Sequence, residues 1–288
     1  MNGISGKGEI LLIPIGGLAN RMRAIASALA LSLESNKKLT VIWQRDRGLN
    51  ANFNDIFQTQ NLPFELKEIS KLAYKTKFEL PRKNNFFIPK IFHRFDKYKW
   101  IYQDYKWSHF MALHDADFFS LATNNKNIGI ISGLEFFAYD YQMIPTLFRP
   151  TSSVTQRMEQ ITKGLSPNIA IHIRRTDNLQ SINNSPLELF DKVIQEELIN
   201  DRKENFFLAS DDEATKQFFR DKYLSNIIIN STPARRDTLE GMIDALAEML
   251  TMASCKRIYG SFYSSFSELA AQYYNNELII VSQDPSNN

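Results

Sequence analysis

Short apolar runs alternate with longer amphipathic segments throughout the second half of the chain. The apolar runs, which predict buried strands, are 168–173, 205–210, 226–230, 257–260 and 277–282. The segments between them, which predict helices, are 187–198, 213–223, 238–253 and 267–274. Because strands that alternate with helices build a parallel sheet with helices on its faces, this half is predicted to be an α/β domain.

The N-terminal part has the same strand–helix–strand order. An apolar run at 9–15 ends in two glycines, an Ala- and Leu-rich segment at 24–33 follows, and 39–43 is a second candidate strand. Segment 81–110 interrupts this order, since it is rich in basic and aromatic residues and has no clean period. We predict that it is irregular, with short helices at most.

These patterns predict an α/β protein of two Rossmann-like domains that face a cleft. The domains are residues 1–150, with the basic-aromatic insert 81–110, and residues 151–288. Ligands of doubly wound sheets bind at the carboxyl ends of the strands, so the candidate site residues are sought there.

Composition excludes several classes of function. Among 288 residues, 34 Lys and Arg stand against 32 Asp and Glu, a balance that gives no support to nucleic-acid binding. Cys255 is the single cysteine, so an internal disulfide and a cysteine metal cluster are excluded. Because no apolar run has the length of a secretory signal or a membrane span, we expect a soluble, cytoplasmic protein.

The first candidate motif, Gly-Gly-Leu-Ala-Asn-Arg, follows the first predicted strand. Gly16 and Gly17 allow close approach of the backbone to a ligand, and the helix N-terminus behind them offers free N–H groups to an anion. Arg21 lies at the helix end where a cation is unfavourable, which also points to an anionic partner. A tight structural turn with an exposed arginine explains the same residues.

The second motif, His-Ile-Arg-Arg-Thr-Asp, leaves a buried strand at its carboxyl end. Alternation along the strand places His172 and Arg174 on one face, and a planar guanidinium there suits a diphosphate. Asp177 is a candidate to hold Arg174 or Arg175 in place. The alternative is a core histidine followed by a surface ion pair.

The third motif places Asp211 and Asp212 at the end of the next strand. Two adjacent carboxylates suit ribose hydroxyls, the orientation of an arginine, or Mg²⁺. The structural alternative is that Asp211 caps the following helix.

The fourth motif, Gly-Ser-Phe-Tyr-Ser-Ser-Phe-Ser, precedes the last predicted helix. Ser265 and Glu268 have the spacing of a capping box, and the same turn presents hydroxyl and N–H groups to a phosphate. On the helix before it, Asp244 and Glu248 oppose the leucine stripe, which predicts a solvated face.

In this order, the four motifs resemble the superfamily of GDP-fucose-dependent fucosyltransferases, which includes core α1,6-, nodulation and protein O-fucosyltransferases. The motifs extend from Gly16 to Ser267, whereas residues 45–150 carry no such resemblance. The resemblance implies a GT-B-like fold and inverting transfer of L-fucose from GDP-β-L-fucose, with no metal or other cofactor. It places the donor mainly on the C-terminal domain.

The resemblance also implies roles for individual residues. The catalytic candidates are Arg174, Arg175 and Asp177. The candidates for binding the nucleotide sugar are Gly16, Gly17, Asn20, Arg21, His172, Asp211, Asp212, Glu248, Ser261, Ser264 and Ser265. Glu248 falls where the family has a guanine-binding acid, which conflicts with the solvated face predicted by the helical wheel.

The acceptor is the least constrained part of this interpretation. A basic-aromatic surface at 81–110 suits stacking on a glycan and contact with an anionic membrane, as a lipid-linked oligosaccharide acceptor would require. This segment equally fits a subdomain that buries its rings. Two other functions fit the same scaffold: transfer from another nucleotide sugar, and binding of a nucleotide sugar or glycan without catalysis.

Overall fold

The computed structural model describes residues 8–69, 97–102 and 117–283. The chain divides into two compact units, Met1–Met143 and Ile144–Asn288. Each unit contains one sheet of five strands among the described residues. The assignment of an acceptor side to residues 1–150 and a donor side to residues 151–288 stays a prediction.

The first unit is built on a wholly parallel sheet. Its elements are β1 (Glu9–Pro14), α1 (Leu18–Glu34), β2 (Lys38–Gln44), α2 (Phe53–Ile56), β3 (Glu65–Ile69), β4 (Lys99–Tyr102), α3 (Phe118–Asn124) and β5 (Asn127–Ser132). The strand order is β3-β2-β1-β5-β4, so the chain changes direction across the sheet between β1 and β5.

The second unit has a second parallel sheet. Its elements are α4 (Met143–Leu147), α5 (Ser152–Thr162), β6 (Ile169–Ile173), α6 (Leu179–Asn184), α7 (Leu187–Asn200), β7 (Phe206–Ser210), α8 (Glu213–Tyr223), β8 (Ile227–Ile229), α9 (Leu239–Ala253), β9 (Arg257–Ser261), α10 (Ser265–Tyr274) and β10 (Glu277–Val281). The order β10-β9-β6-β7-β8 puts the reversal of direction between β6 and β9.

The strands of the second sheet could be predicted from the sequence because both faces of the sheet are buried. All five residues of β6 and all five of β7 are buried. Ile169, Ile171 and Ile173 pack on one face against residues of α7 such as Phe190 and Ile194. Strands covered by helices on both sides appear as continuous apolar runs, so composition alone marks them.

The predicted α/β class and the alternation of elements in the second half are confirmed. The predicted helix 213–223 has the bounds of α8. Residues 99–102, which fall in the segment predicted to be irregular, form the edge strand β4, and the rest of 81–110 lies mostly outside the described residues. No helix in the described ranges is long and apolar enough to cross a lipid bilayer.

Candidate functional site

The carboxyl ends of β6 and β9 are tied together by one serine. Ser261 Oγ accepts a hydrogen bond from Arg174 N at 3.0 Å and donates one to His172 O at 3.2 Å. These two strands are neighbours at the point where the strand order reverses, which is the usual ligand crevice of a doubly wound sheet. The sequence-predicted residues Ser261, His172 and Arg174 therefore lie together at the expected place.

Two carboxylates hold the Arg174 side chain. Its guanidinium forms ion pairs with Asp177 and, at 3.0 Å, with Asp211, and the side chain is only 18% exposed. Asp177 also pairs with Arg236 at 3.2 Å. The predicted contact of Asp177 with Arg174 is present, and the contact of Asp211 matches one of its predicted roles, the orientation of an arginine. The contact of Arg236 with Asp177 was not predicted.

Asp211 also shapes the turn that carries Arg174. Its carboxylate accepts hydrogen bonds from Arg175 N at 2.7 Å, from Thr176 N at 3.2 Å and from the Thr176 hydroxyl. Burial raises the pKa of Asp211, but the Thr176 hydrogen bonds and the charge of Arg174 outweigh it, so the net pKa is lowered. Asp211 is therefore an ionised anchor for the turn at neutral pH.

The helix cap predicted at Asp211 is wrong by one residue. Asp212 is the N-cap of α8, and its carboxylate accepts a hydrogen bond from Thr215 N at 2.9 Å. Because Asp211 is committed to the turn after β6, the neighbouring aspartate takes the capping role. The two carboxylates thus have separate structural tasks.

His172 is a buried, neutral imidazole. It is 4% exposed, its Nδ1 lies 3.4 Å from Ser264 Oγ, and its ring centroid is 5.2 Å from that of Phe266. Burial and the nearby charge of Arg174 lower its pKa to about 4. A neutral imidazole at this position can exchange hydrogen bonds with a ligand but carries no charge at neutral pH.

Arg175 points away from Arg174. Its guanidinium donates to Ile182 O at 3.3 Å and to Ser185 O at 2.6 Å, at the carboxyl end of α6. The sequence did not predict α6, a helix of six residues, so this acceptor pair was missed. The structure places Arg175, a predicted catalytic residue, as a clamp that fixes α6 beside the site.

The turn between β9 and α10, residues 262–264, forms hydrogen bonds with α6 and its N-cap residue. Asn178 Nδ2 donates to Tyr263 O at 2.8 Å, and Ser181 Oγ donates to Phe262 O at 2.7 Å. Tyr263 has a positive φ of 56°, a strained conformation for a non-glycine residue, and these contacts help to hold it there. The turn is therefore a fixed feature of the fold.

The predicted capping box in this turn is wrong. Helix α10 begins at Ser265, so its N-cap is Ser264, and no side chain of the described residues caps it through a hydrogen bond from that position. Ser264 Oγ is directed to His172 instead. Helix α10 begins at the end of β9, where a phosphate could accept hydrogen bonds from N–H groups of its first turn.

The solvated face predicted for α9 is also wrong. Asp244 is 3% exposed and Glu248 8%, because α5 packs against α9 and covers the face opposite the leucines. Arg157 of α5 forms ion pairs with Asp244 and, at 3.0 Å, with Glu240. The leucine stripe marks one buried face of α9, and it does not show that a second face is buried as well.

Glu248 is an unusual buried acid. Burial raises its pKa to about 7, and the positive charge of Lys216 and the amide of Asn230 limit the rise. The side chain of Lys216 is itself only 1% exposed and pairs with Glu213 at 2.5 Å. Lys216 lies on α8, Glu248 on α9 and Asn230 at the end of β8. Strand β8 belongs to the same sheet as β6, the strand that precedes Arg174.

In the first unit, Arg21 is part of the turn after β1. Its guanidinium donates to Gly16 O at 2.9 Å and to Gln44 O at 2.6 Å, pairs with Asp46 at 2.6 Å and lies 5.2 Å from the Trp43 ring centroid. It is fully buried, so the alternative of an exposed first-turn arginine is wrong. The structure places Arg21 as a support of the glycine turn.

Gly16 and Gly17 form that turn. Gly16 has a φ of 82°, which favours glycine, and Asn20 Nδ2 would lie 3.1 Å from a Cβ at Gly16. Gly17 is the N-cap of α1. The predicted glycine turn is therefore present, and its contact with a nucleotide stays a prediction.

No group of three His, Cys, Asp or Glu side chains is placed to hold a metal ion within the described ranges. The absence of a metal from the reaction stays a prediction.

The sequence of this chain matches no known protein in the comparisons, whereas its structure matches several. No protein-family model matches the sequence, and no curated protein sequence matches it significantly. Solved structures do match. An Arabidopsis thaliana FUT1 mutant in complex with GDP is 14% identical, with a TM-score of 0.61 over 97% of this chain and 71% of that chain.

Two further structures match nearly end to end. NodZ α-1,6-fucosyltransferase soaked with GDP-fucose is 14% identical, with a TM-score of 0.63 over 97% of this chain and 96% of that one. POFUT1 in complex with GDP-fucose is 10% identical, with a TM-score of 0.56 over 98% and 99%. The chain thus has the GT-B-like fold of these proteins, with two Rossmann-like domains, as its motifs predicted.

Proposed function

We propose that this protein is an inverting, metal-independent glycosyltransferase that transfers L-fucose from GDP-β-L-fucose to a hydroxyl group of a glycan or lipid-linked oligosaccharide. The proposal rests on one observation above all. Arg174 lies at the β6–β9 switch point, joined through Ser261 to the strand that leads to the N-terminus of α10. The GDP and GDP-fucose complexes of the structural neighbours support the choice of donor.

The chemistry required is stabilisation of a leaving diphosphate. As the fucose–GDP bond breaks, positive charge develops on the sugar ring and negative charge on the diphosphate. Arg174, the first N–H groups of α10 and the hydroxyls of Ser264 and Ser265 are the groups that meet this charge. They are held in place before the reaction, so little reorganisation is needed.

Asp211 and Asp177 prepare Arg174 for this task. Both carboxylates fix the guanidinium in one orientation, and Asp211 also fixes the backbone of the turn. Arg174 therefore has a restrained side chain whose remaining donor capacity is directed to the ligand.

Inversion follows from a single displacement, in which the acceptor oxygen attacks the face of the sugar opposite the diphosphate as the bond to GDP breaks. The proton of the acceptor hydroxyl passes to an oxygen of the departing diphosphate. On the donor side, Arg174, Ser264, Ser265 and the N–H groups of α10 act only on the leaving group. We propose that the first unit binds the acceptor and that segment 81–110 contacts the inner face of the cytoplasmic membrane. Co-sedimentation with anionic vesicles at low salt tests the membrane contact, and a lack of binding contradicts it.

The activity is tested by release of GDP from GDP-β-L-fucose in the presence of candidate glycan acceptors. The proposal predicts acceptor-dependent release that persists in EDTA. GDP-mannose and UDP-galactose serve as comparison donors. Acceptor-dependent release of UDP from UDP-galactose, with none of GDP from GDP-fucose, would show that the donor sugar is not fucose. Binding of a nucleotide without release from any donor would favour a binding protein.

A further inference from the structure

The segment 133–142 follows β5 at the carboxyl end of the first sheet, and four of its ten residues are aromatic. Strands β1 and β5 are neighbours at the point where the strand order of this sheet reverses, which is the usual ligand crevice of a doubly wound sheet. A Cβ atom at Gly133 would lie 2.9 Å from Ile15 O, so the segment begins against the end of β1. None of the four sequence motifs includes this segment.

Two buried serines fix the backbone of the segment. Ser27 Oγ, on α1, accepts a hydrogen bond from Phe136 N at 3.3 Å and donates one to Phe137 O at 2.9 Å. Ser132 Oγ, at the end of β5, accepts a hydrogen bond from Leu134 N at 3.0 Å and donates one to Leu134 O at 2.9 Å. Both serines are fully buried, so the side chains that follow are presented from a backbone that is ordered before any ligand arrives.

A polar cluster lies on this segment and on α1. Arg23 forms an ion pair with Glu135 at 3.5 Å, and the Tyr139 hydroxyl forms a hydrogen bond with the Glu135 carboxylate. Burial and the negative charge of Glu135 raise the pKa of Tyr139, so its hydroxyl stays protonated at neutral pH. The Glu135 side chain is 30% exposed, so a ligand can reach the same carboxylate.

Tyr141 places an aromatic ring beside this cluster. Its ring centroid lies 5.6 Å from that of Tyr139, with an angle of 72° between the two planes, and 41% of the residue is exposed. Because the planes are steeply inclined, the contact with Tyr139 holds the Tyr141 ring and leaves much of its surface open. The first unit thus combines one exposed ring, one carboxylate and two groups that donate hydrogen bonds.

A pyranose ring is the ligand that this combination fits. One face of a pyranose consists of C–H groups and packs on an aromatic ring, while the hydroxyl groups at its rim both donate and accept hydrogen bonds. A carboxylate accepts from such hydroxyls, and a guanidinium and a phenol donate to others. A nucleobase would also stack on Tyr141, and nucleotide titration separates the two ligands.

We propose that Glu135 and Tyr141 form a binding site for a pyranose ring of the acceptor glycan, in which the sugar stacks on Tyr141 and its hydroxyl groups donate to Glu135. Arg23 and Tyr139 orient the Glu135 carboxylate and donate to other hydroxyl oxygens of the sugar. This inference rests on the proposed function and deepens it, since it names the groups of the first unit that hold the acceptor.

The first probe is a printed array of oligosaccharides that end in hexose, 6-deoxyhexose or N-acetylhexosamine residues, because it samples many pyranose rings at once. We expect wild-type protein to bind a subset of these glycans. The free oligosaccharide of the spot that binds best is then titrated by calorimetry, which gives its dissociation constant. Binding to no glycan on the array overturns the proposal.

Three substitutions separate stacking from hydrogen bonding. Tyr141→Ala should weaken binding of that oligosaccharide on the order of tenfold, because the stacking surface is lost, whereas Tyr141→Phe should stay within about twofold of wild type, because the ring is kept. Glu135→Gln should also weaken binding on the order of tenfold, since hydrogen bonds to a charged group are lost. GDP affinity should be the same in all three variants as in wild type.

The matched control is Tyr274→Ala. Tyr274 is also the exposed member of a T-shaped tyrosine pair, with its ring centroid 4.8 Å from that of Tyr273, but it lies on α10 of the second unit. Its loss should leave the oligosaccharide affinity unchanged.

Wild-type oligosaccharide affinity in both Tyr141→Ala and Glu135→Gln would refute the site, and acceptor-dependent release of GDP by wild-type protein would then leave the proposed function standing. An equal loss of oligosaccharide and GDP affinity in Tyr141→Ala would also refute the site, because the ring would then serve the nucleotide or the fold. If both variants lose the oligosaccharide but wild-type protein releases no GDP from GDP-fucose, the site stands and the proposed function is refuted.

Discussion

At the scale of single residues, adjacent side chains of the same type make different contacts in the candidate site. Arg174 is held toward the strand ends by Asp177 and Asp211, whereas Arg175 is directed to α6. Asp211 anchors the arginine turn, whereas Asp212 caps a helix. The sequence places all four residues at the strand ends but does not show which member of each pair makes which contact.

Replacement of Arg174 by alanine should lower the turnover of GDP-fucose by on the order of a hundredfold or more, because one main donor to the leaving diphosphate is lost. Steady-state kinetics with saturating acceptor measures this. The control is Arg220→Ala, which removes an exposed arginine that donates to Gln217 on α8. Turnover within a few-fold of wild type in Arg174→Ala would contradict the mechanism.

Glu248 should make the unliganded protein less stable as pH rises. Its carboxyl has a folded-state pKa of about 7 against an ordinary 4.5, so the unfolded chain loses the proton first. The free energy of unfolding therefore falls between pH 4.5 and 7 and levels off above that. Glu248→Gln should be more stable than wild type at pH 8, by up to about 3 kcal/mol, and nearly equal to it at pH 4.

Urea unfolding of wild type and Glu248→Gln at pH 4, 6 and 8 tests this expectation. A stability difference that is independent of pH would show that the carboxyl of Glu248 has the same pKa in the folded and the unfolded chain, and would contradict the raised pKa.

At the scale of elements, the strands could be predicted from the sequence, whereas the short helix α6 and the packing partner of α9 could not. Parallel strands buried on both faces are continuous apolar runs, so β6 and β7 were found within one residue at each end. Helix α6 was missed because its six residues are too few for a period to appear. The face of α9 was misjudged because α5, which covers it, lies far away in the sequence.

The cap of α8 gives a test at this scale. Asp212→Ala should lower the free energy of unfolding by about 1 kcal/mol, since the hydrogen bond to Thr215 N is lost, and should leave GDP affinity unchanged. Chemical denaturation and nucleotide titration measure the two effects. A large loss of GDP affinity with unchanged stability would mean that Asp212 contacts the donor.

At the scale of the whole molecule, both units place their reversal of strand order beside the first strand of the sheet. The second sheet, counted from its first strand, has the Rossmann order 3-2-1-4-5. In the first sheet the last two strands are exchanged, so that β5 lies next to β1 and β4 forms the edge. That exchange lies in the part of the chain with no motif resemblance, and no local pattern predicts it.

The central claim is that the second unit binds a guanosine diphosphate sugar through Arg174. The most direct test is thermal unfolding of the wild-type protein and Arg174→Ala with GDP, GDP-fucose, UDP, CDP and NAD. A ligand at a hundredfold excess over its dissociation constant stabilises the native state by about 2.7 kcal/mol. We predict a rise in Tm with GDP and GDP-fucose alone, lost in Arg174→Ala. A rise with UDP instead, or with no nucleotide, would contradict the claim.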